Sequence, residues 1–406
     1  MRTSLVGQTL RLFSSAVIAL LSISTCAWAW AECDGFIEWS SQSLARYQQD
    51  HRIFPLSPEL QKLAQRVMPS LSTTEDSWRP IDFDEYLASA ELFDGKQRRP
   101  IASGKDIRPT IQSLNKEAQC RSWLKAPDQP PAEVAPVYIQ AYRDIGPTGQ
   151  EGWLYFKYTY VFDWSGLARK RSLVSRIGST LAGGNAKRWH RLDVHTSAVV
   201  GLDSNKTIRT LTLQQHNNKR TYVAGLDFFT QEADRKQQKI HIAAAYSTNE
   251  LYLDNGETQR QTRRAVMSFQ QWPHLIDENQ KTSIWQLDEF DGHNAGGKPV
   301  ALRPVYIEPD HPLAAYAGLL APKRRLLGMY IGRDGPPGYD FDGISELPES
   351  TTLGFWQEND DAFLQLLEDK LDGFKTTDWQ SIADYLRPKL ANAMASQSEN
   401  LSTVQP

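Results

Sequence analysis

Residues 188–216 place groups able to bind metal or move protons at alternate positions, Asp193 and His195 on one segment, Gln214 and His216 on the next. Strand side chains alternate between faces. Leu192, Val194 and Thr196 then point one way, and Arg191, Asp193 and His195 the other. On the following segment Leu211 and Leu213 point inward, with Thr212, Gln214 and His216 outward. A hairpin centred near Asp203 sets Asp193 opposite Gln214 and Arg191 near His216, within cross-strand reach. Two imidazoles and a carboxylate suit a divalent transition metal with open positions, His190 adding a further ligand. The same groups suit acid–base work. The competing reading of that face is the solvated side of a half-exposed sheet.

The elements that must hold this hairpin read as strands over residues 131–345. Residues 137–142, 152–164, 191–200, 207–215, 239–246 and 300–307 are the clearest. The segment 152–164 carries Trp153, Tyr155, Tyr158, Tyr160 and Phe162 among few charges, the pattern of a strand covered on both faces. Many strands with turn signals between them, and no alternation of strand with helix, predict a mainly β fold, an antiparallel β-sandwich. Residues 32–130 read as a helical and irregular N-terminal arm. Ser57-Pro58 supplies a helix cap and first-turn proline, and Leu60, Leu63, Ala64 and Val67 follow at helical spacing. A second helix is predicted over 82–92. Residues 126–131, Ala-Pro-Asp-Gln-Pro-Pro, mark a boundary. Residues 346–395 return to helix, closing on a polar, disordered tail over 396–406.

Other groups are weaker candidates. Asp334, Asp340 and Asp342 lie in a Gly/Pro-rich turn that could present oxygens to calcium but lacks helix–loop–helix spacing. The loop 291–297 and the turn Asp310-His311-Pro312 read as ordinary connections. Trp153, Trp164 and Trp189 are either a carbohydrate-stacking platform or sandwich core. The chain holds neither a nucleophile-elbow serine motif nor a phosphate-cradling glycine loop.

Composition narrows the class further. A net charge of -3 argues against nucleic acid, which needs a basic face. Twelve Trp and fifteen Tyr favour β-structure. Arg2 and Arg11, the apolar run 12–23 and Ala29-Trp30-Ala31 have the layout of a secretory signal peptide over residues 1–31, and no later run has membrane-spanning length. Export, periplasmic or fully secreted, is therefore expected; Cys26 is a minor lipoprotein alternative. Cys33 and Cys120 remain, and in an oxidising compartment two such cysteines are expected to form a disulfide.

Several short motifs resemble the vacuolar protein sorting-associated protein 62-like family. They are Leu63-Ala64-Gln65-Arg66-Val67-Met68-Pro69, Trp78-Arg79-Pro80 and Tyr86-Leu87-Ala88-Ser89-Ala90-Glu91-Leu92. The aromatic segment 153–164, Leu213-Gln214-Gln215-His216-Asn217-Asn218 and Arg303-Pro304-Val305-Tyr306 with His311 and Tyr316 follow in the family's order. The resemblance implies a β-sandwich and no particular activity. Lys187-Arg188-Trp189-His190-Arg191-Leu192 sits where the family's Asp-Trp-Glu-His stretch is expected. It is also similar, remotely, to the cation-binding motif of the necrosis-inducing secreted proteins. Arg188 and His190 stand where acids flank the tryptophan, which weakens any hard-cation site that the resemblance implies.

The function expected from these residues is a non-catalytic module that binds a ligand or cell-envelope component near His195 and His216. The alternative is a metal-assisted hydrolase or lyase using His190, Asp193, His195 and His216. A membrane-acting effector is a third reading, carried by the remote resemblance alone.

Overall fold

The computed structural model describes residues 51–53, 55–74, 78–95, 99–145, 151–168, 170–171, 186–194, 196–203, 205–215, 218–224, 228–229, 239–254, 260–265, 285–291, 297–308, 311–316, 318–322, 325–326 and 329–330. The signal peptide, Cys26, Cys33, His195, His216, Asp310, the aspartates at 334–342 and everything after 330 lie outside the described residues. So do the centre of the 291–297 loop and the side chains of Cys120, Trp153, His190 and Gln214.

In chain order, strand β1 (His51–Ile53) precedes helix α1 (Pro58–Val67) and strand β2 (Ser70–Thr73). Helix α2 (Phe83–Ser89) leads into β3 (Glu91–Asp94) and β4 (Ala102–Ser103). Helices α3 (Ile107–Ser113) and α4 (Lys116–Arg121) then run into β5 (Ser122–Lys125). Next come β6 (Ala135–Ile145), β7 (Glu151–Thr159), β8 (Phe162–Ser165), β9 (Lys170–Arg171) and β10 (His190–Asp193). They are followed by β11 (Ser197–Leu202), β12 (Ile208–Gln215), β13 (Asn218–Val223), β14 (His241–Ala244) and β15 (Leu251–Leu253). The later strands are β16 (Arg260–Ala265), β17 (Trp285–Phe290), β18 (Lys298–Pro299) and β19 (Leu302–Tyr306), with the short helix α5 (Pro312–Ala315) behind them.

The described residues form a mainly β structure. Its largest sheet has the order β1-β6-β7-β11-β12-β13, with β19 also on β6, and a second sheet has the order β15-β14-β2-β18. Ala198, Val200, Leu211, Leu213, Phe156 and Tyr158 of the first sheet share one buried core with Leu71, Ile242, Ala244, Leu251 and Leu253 of the second. Two apolar sheet faces closing on each other in this way make the sandwich. Most pairings are antiparallel, but β2 on β14 and β19 on β6 are parallel. Long connections, rather than hairpins, bring those partners together.

Helix α1 begins where Ser57-Pro58 predicts it, the Ser57 hydroxyl accepting the Leu60 amide at 3.3 Å. It buries Leu63, Ala64 and Val67, and the hydroxyls of Tyr158 and Tyr306 donate to the Ala64 and Gln61 carbonyls at 2.8 and 3.0 Å. The segment predicted as an arm is built into both sheets: β1 pairs with β6, and β2 is interior to the second sheet. Helix α2 is shorter than predicted, because Glu91 and Leu92 pair with β4 and β5 as a strand. A second core lies there, Phe83, Tyr86, Leu92, Ile107 and Leu124 packing with Val194, Leu313 and Tyr316.

The aromatic segment does not run straight through. It leaves the large sheet at Tyr160 and Val161, where the Tyr160 amide donates to the Thr196 carbonyl at 3.0 Å and the Ile81 amide to that of Val161 at 2.8 Å. Ser197 pairs with Thr159 before this point, whereas Asp193 pairs with Phe162 after it, so the ladder slips by one residue. Such a bulge bends a strand and re-aims its side chains. It turns β8 and β10 away from the large sheet as a two-stranded extension.

Gly166 lets the next turn close. A Cβ there would lie 2.1 Å from Ser247 Oγ and 2.8 Å from the Ala186 carbonyl oxygen, and backbone cannot rotate aside. Gly166→Ala is expected to lower stability by about 1–3 kcal/mol through this overpacking. Urea denaturation checks it, and a midpoint equal to wild type would contradict the close approach.

Candidate functional site

The expected hairpin exists between β11 and β12, but four residues out of the expected register. Ala198 faces Leu213, and Gly201 faces Thr210. The turn is centred later because Asp203 opens it: its carboxylate accepts the Thr207 amide at 2.9 Å, and the Lys206 amide donates to its carbonyl at 2.9 Å. Asp193 therefore pairs with Phe162 on β8 and does not face Gln214, which pairs with Lys219 on β13. Arg191 pairs with Trp164 on β8 and not with a residue of β12. The expected solvated face is also wrong for the described side chains, since Arg191, Asp193 and Thr212 are all buried. Asp193 accepts from the Asn249 amide nitrogen at 3.2 Å. Among the described residues no three His, Cys, Asp or Glu side chains come together to hold a metal.

What β8 and β10 do bring together is a cluster of cations, carboxylates and aromatic rings. Strand β10 and the turn before it contribute Arg191 and Arg188, and β8 contributes Asp163 and Trp164. The proline-rich segment 126–131 contributes Asp128, and Trp78 comes from the connection after β2. Arg191 is only 4% exposed. Its Nη1 donates to Asp163 Oδ2 at 2.5 Å and to Asp128 Oδ1 at 3.0 Å, and its Nη2 donates to the Pro127 carbonyl at 2.5 Å. Its guanidinium also lies 4.9 Å from the Trp164 ring centroid and 5.7 Å from that of Tyr86. Guanidinium suits this place because it is planar, stacks on rings and carries several donors in one plane.

Above this buried pair sits an accessible layer. Arg188 is 45% and Asp128 52% exposed at the side chain, joined at 2.6 Å from Nη1 to Oδ2. The Arg188 guanidinium lies 5.4 Å from the Trp164 ring and 5.7 Å from Trp78. The indole N–H groups are fixed as well, Trp164 donating to Asp128 Oδ1 at 3.3 Å and Trp78 to the Lys187 carbonyl at 3.2 Å. The result is a shelf of two indoles, one guanidinium and one carboxylate, anchored from below. The paired charges Arg188/Asp128 and Arg191/Asp163 balance, so the shelf offers donors and acceptors without net charge.

Asp163 is the electrostatically unusual member. Burial pushes its carboxyl up from an ordinary 3.8 to about 6, and the Arg191 charge and the Gln129 amide pull the other way without reversing it. By contrast, the neighbouring His311 imidazole lowers Asp84 on α2. His311 itself caps α5, its Nδ1 accepting the Leu313 amide at 3.2 Å, with Nε2 3.6 Å from Asp84. The turn histidine is thus structural.

Sequence reasoning picked out Trp164 and, through the resemblance, Trp78 and the 187–192 stretch, but missed Asp128 and Asp163. Asp128 was legible only as part of a linker. The available signal was a lone acid inside a proline-rich segment, a place where a fixed backbone can hold a carboxylate for a distant cation.

A scan against protein-family models finds no match, and none is found among curated proteins. Among solved structures, the chain is similar to NLPPya in complex with mannosamine at 14% identity, over 62% of this chain and 78% of that one, with a TM-score of 0.25. A likeness at that score fixes neither fold nor ligand here. No helix among the described residues is long and apolar enough to cross a membrane.

Two outcomes test the buried pair. Arg191→Leu leaves Asp163 as an uncompensated buried acid and is expected to destabilise by about 3–5 kcal/mol, read by chemical denaturation. The second outcome concerns pH. Because the folded-state value of Asp163 is raised, its contribution to stability is fully present below 3.8 and is lost as pH rises through about 6. The stability difference between wild type and Asp163→Asn is therefore expected to grow in favour of wild type as pH falls from 7 to 4. A difference independent of pH would contradict the shift.

Proposed function

We propose that the chain is a ligand- or envelope-binding module whose binding surface is the Trp78–Arg188–Trp164–Asp128 shelf. The observation that carries this reading is the Arg188 guanidinium, held between two indoles and against a carboxylate while nearly half exposed. Pre-fixed side chains lose little freedom when a partner arrives, so a surface built this way is suited to recognition. Trp and Arg also dominate the energetics of binding surfaces.

A polar partner in the cell envelope agrees with the leader-like residues 1–31, and export belongs to this proposal. So does kinship with the vacuolar protein sorting-associated protein 62-like family, which rests on the short motifs alone.

Co-sedimentation of the purified chain with the isolated cell envelope of its source tests the reading. Wild type is expected to sediment with the envelope. Trp164→Ala and Arg188→Ala are each expected to weaken the association at least about tenfold, the scale of a single good contact. Retention of binding in both variants, with folding intact by circular dichroism, would move the surface elsewhere. No sedimentation of wild type would sink the proposal.

A further inference from the structure

A second constellation lies in the other sheet and uses none of the shelf residues. Strands β2 and β14 run parallel with Ser70 paired to His241, and Ser70 Oγ lies 2.7 Å from His241 Nδ1. Their neighbours Leu71 and Ile242 point into the core, so Ser70 and His241 alternate onto the opposite face, where both are half-buried. On the far side of β14, Ile242 pairs with Leu253, and the Asp254 amide donates to the His241 carbonyl at 2.9 Å. Asp254 therefore stands directly across from His241, and it is buried. Serine, histidine and aspartate form one row across three adjacent strands.

A nucleophile within hydrogen-bond reach of a base, with an acid placed behind the base, is the arrangement that activates serine. The single hydroxyl proton of Ser70 has two acceptors, His241 Nδ1 at 2.7 Å and the Ile240 carbonyl at 3.2 Å. With the imidazole proton on Nε2, Nδ1 is the acceptor at the shorter distance.

We propose that Ser70 is an acylatable nucleophile with His241 as its general base, acting on carboxylic esters. Ser70 Oγ bonds to the ester carbonyl carbon while its proton passes to His241 Nδ1. The carbon–alkoxide bond then breaks, and the alcohol leaves with that proton. Water attacks the Ser70 ester, again giving up a proton to His241. The carboxylic acid departs and Ser70 recovers its hydrogen. Asp254 is a positioning residue that favours the protonated imidazole formed between these steps.

The test is covalent labelling of the full chain with a fluorophosphonate, read by intact mass and peptide mapping. One adduct per chain is expected, on Ser70, and none in Ser70→Ala. His241→Gln is expected to slow labelling by about 100-fold or more, the usual scale of general-base assistance. The wild-type rate should rise with pH through the titration of an imidazole, at about 6.5 when unperturbed, and then level off. Asp254→Asn should move that midpoint downward, which a purely structural aspartate would not do. A folded wild type left unlabelled at Ser70, or His241→Gln labelled at the wild-type rate, overturns the proposal. An unmoved midpoint in Asp254→Asn overturns the role of Asp254. Loss of the envelope association in the shelf variants bears on none of these readings, so the two proposals fail separately.

Discussion

The buried guanidinium of Arg191 is the constraint around which the described structure is arranged. A cation that has left water must be surrounded by compensating groups. Here they come from three separate segments: Asp163 and the ring face of Trp164 on β8, the ring face of Tyr86 on α2, and the Ala126–Asp128 stretch of the proline-rich segment. One side chain therefore ties the β8–β10 extension to the segment that leads into the large sheet, and to the helical core around Tyr86. Tyr86 is held in turn through its hydroxyl to the Leu320 carbonyl at 2.6 Å. The proline-rich stretch would otherwise read as a loose connection. Its prolines remove backbone donors and fix φ, leaving carbonyls that suit a cation.

The one-residue slip between the β7–β11 ladder and the β8–β10 ladder explains why this arrangement is possible. A ladder of constant register would keep β8 and β10 in the plane of the large sheet. With the slip, Val194 packs into the helical core while Ala198 and Val200 stay in the sandwich core. The consecutive segment from β10 through β11 serves two cores, and Arg191 reaches the helical core through Tyr86. Asp163 is an acid whose burial outweighs the cation beside it.

Much of the fold was legible in the sequence where periodicity and capping agree. The start of α1, the strands near 137–142 and 207–215, and the alternation that sends Leu211 and Leu213 inward all follow from residue types. Register was not legible, because it depends on which residue opens the turn after β11. Asp203 does so through its own carboxylate, and a side-chain role of that kind does not show in a hydrophobic pattern. The covering of the second face was also hidden. Thr210, Thr212, Lys157 and Gln140 share a polar face of the large sheet and alternate as solvated residues would, yet all are buried. Alternation tells which side a residue takes and says nothing of what lies over it. The shelf was least legible, since Trp78, Asp128, Asp163 and Arg188 are dispersed in sequence and meet only through the bend.

The polar groups that survive on accessible surfaces fall into two kinds, and the difference follows from how each is held. In the shelf the Arg188 guanidinium and the Trp164 indole N–H are held by the Asp128 carboxylate, and the Trp78 N–H by a backbone carbonyl. Ser70 and His241 are held instead by strand pairing, through their backbones, which leaves the hydroxyl and imidazole to interact with each other. A parallel pair in register sets that contact. The two surfaces are built by different parts of the fold, one by ion pairs at a bent ladder and one by the second sheet.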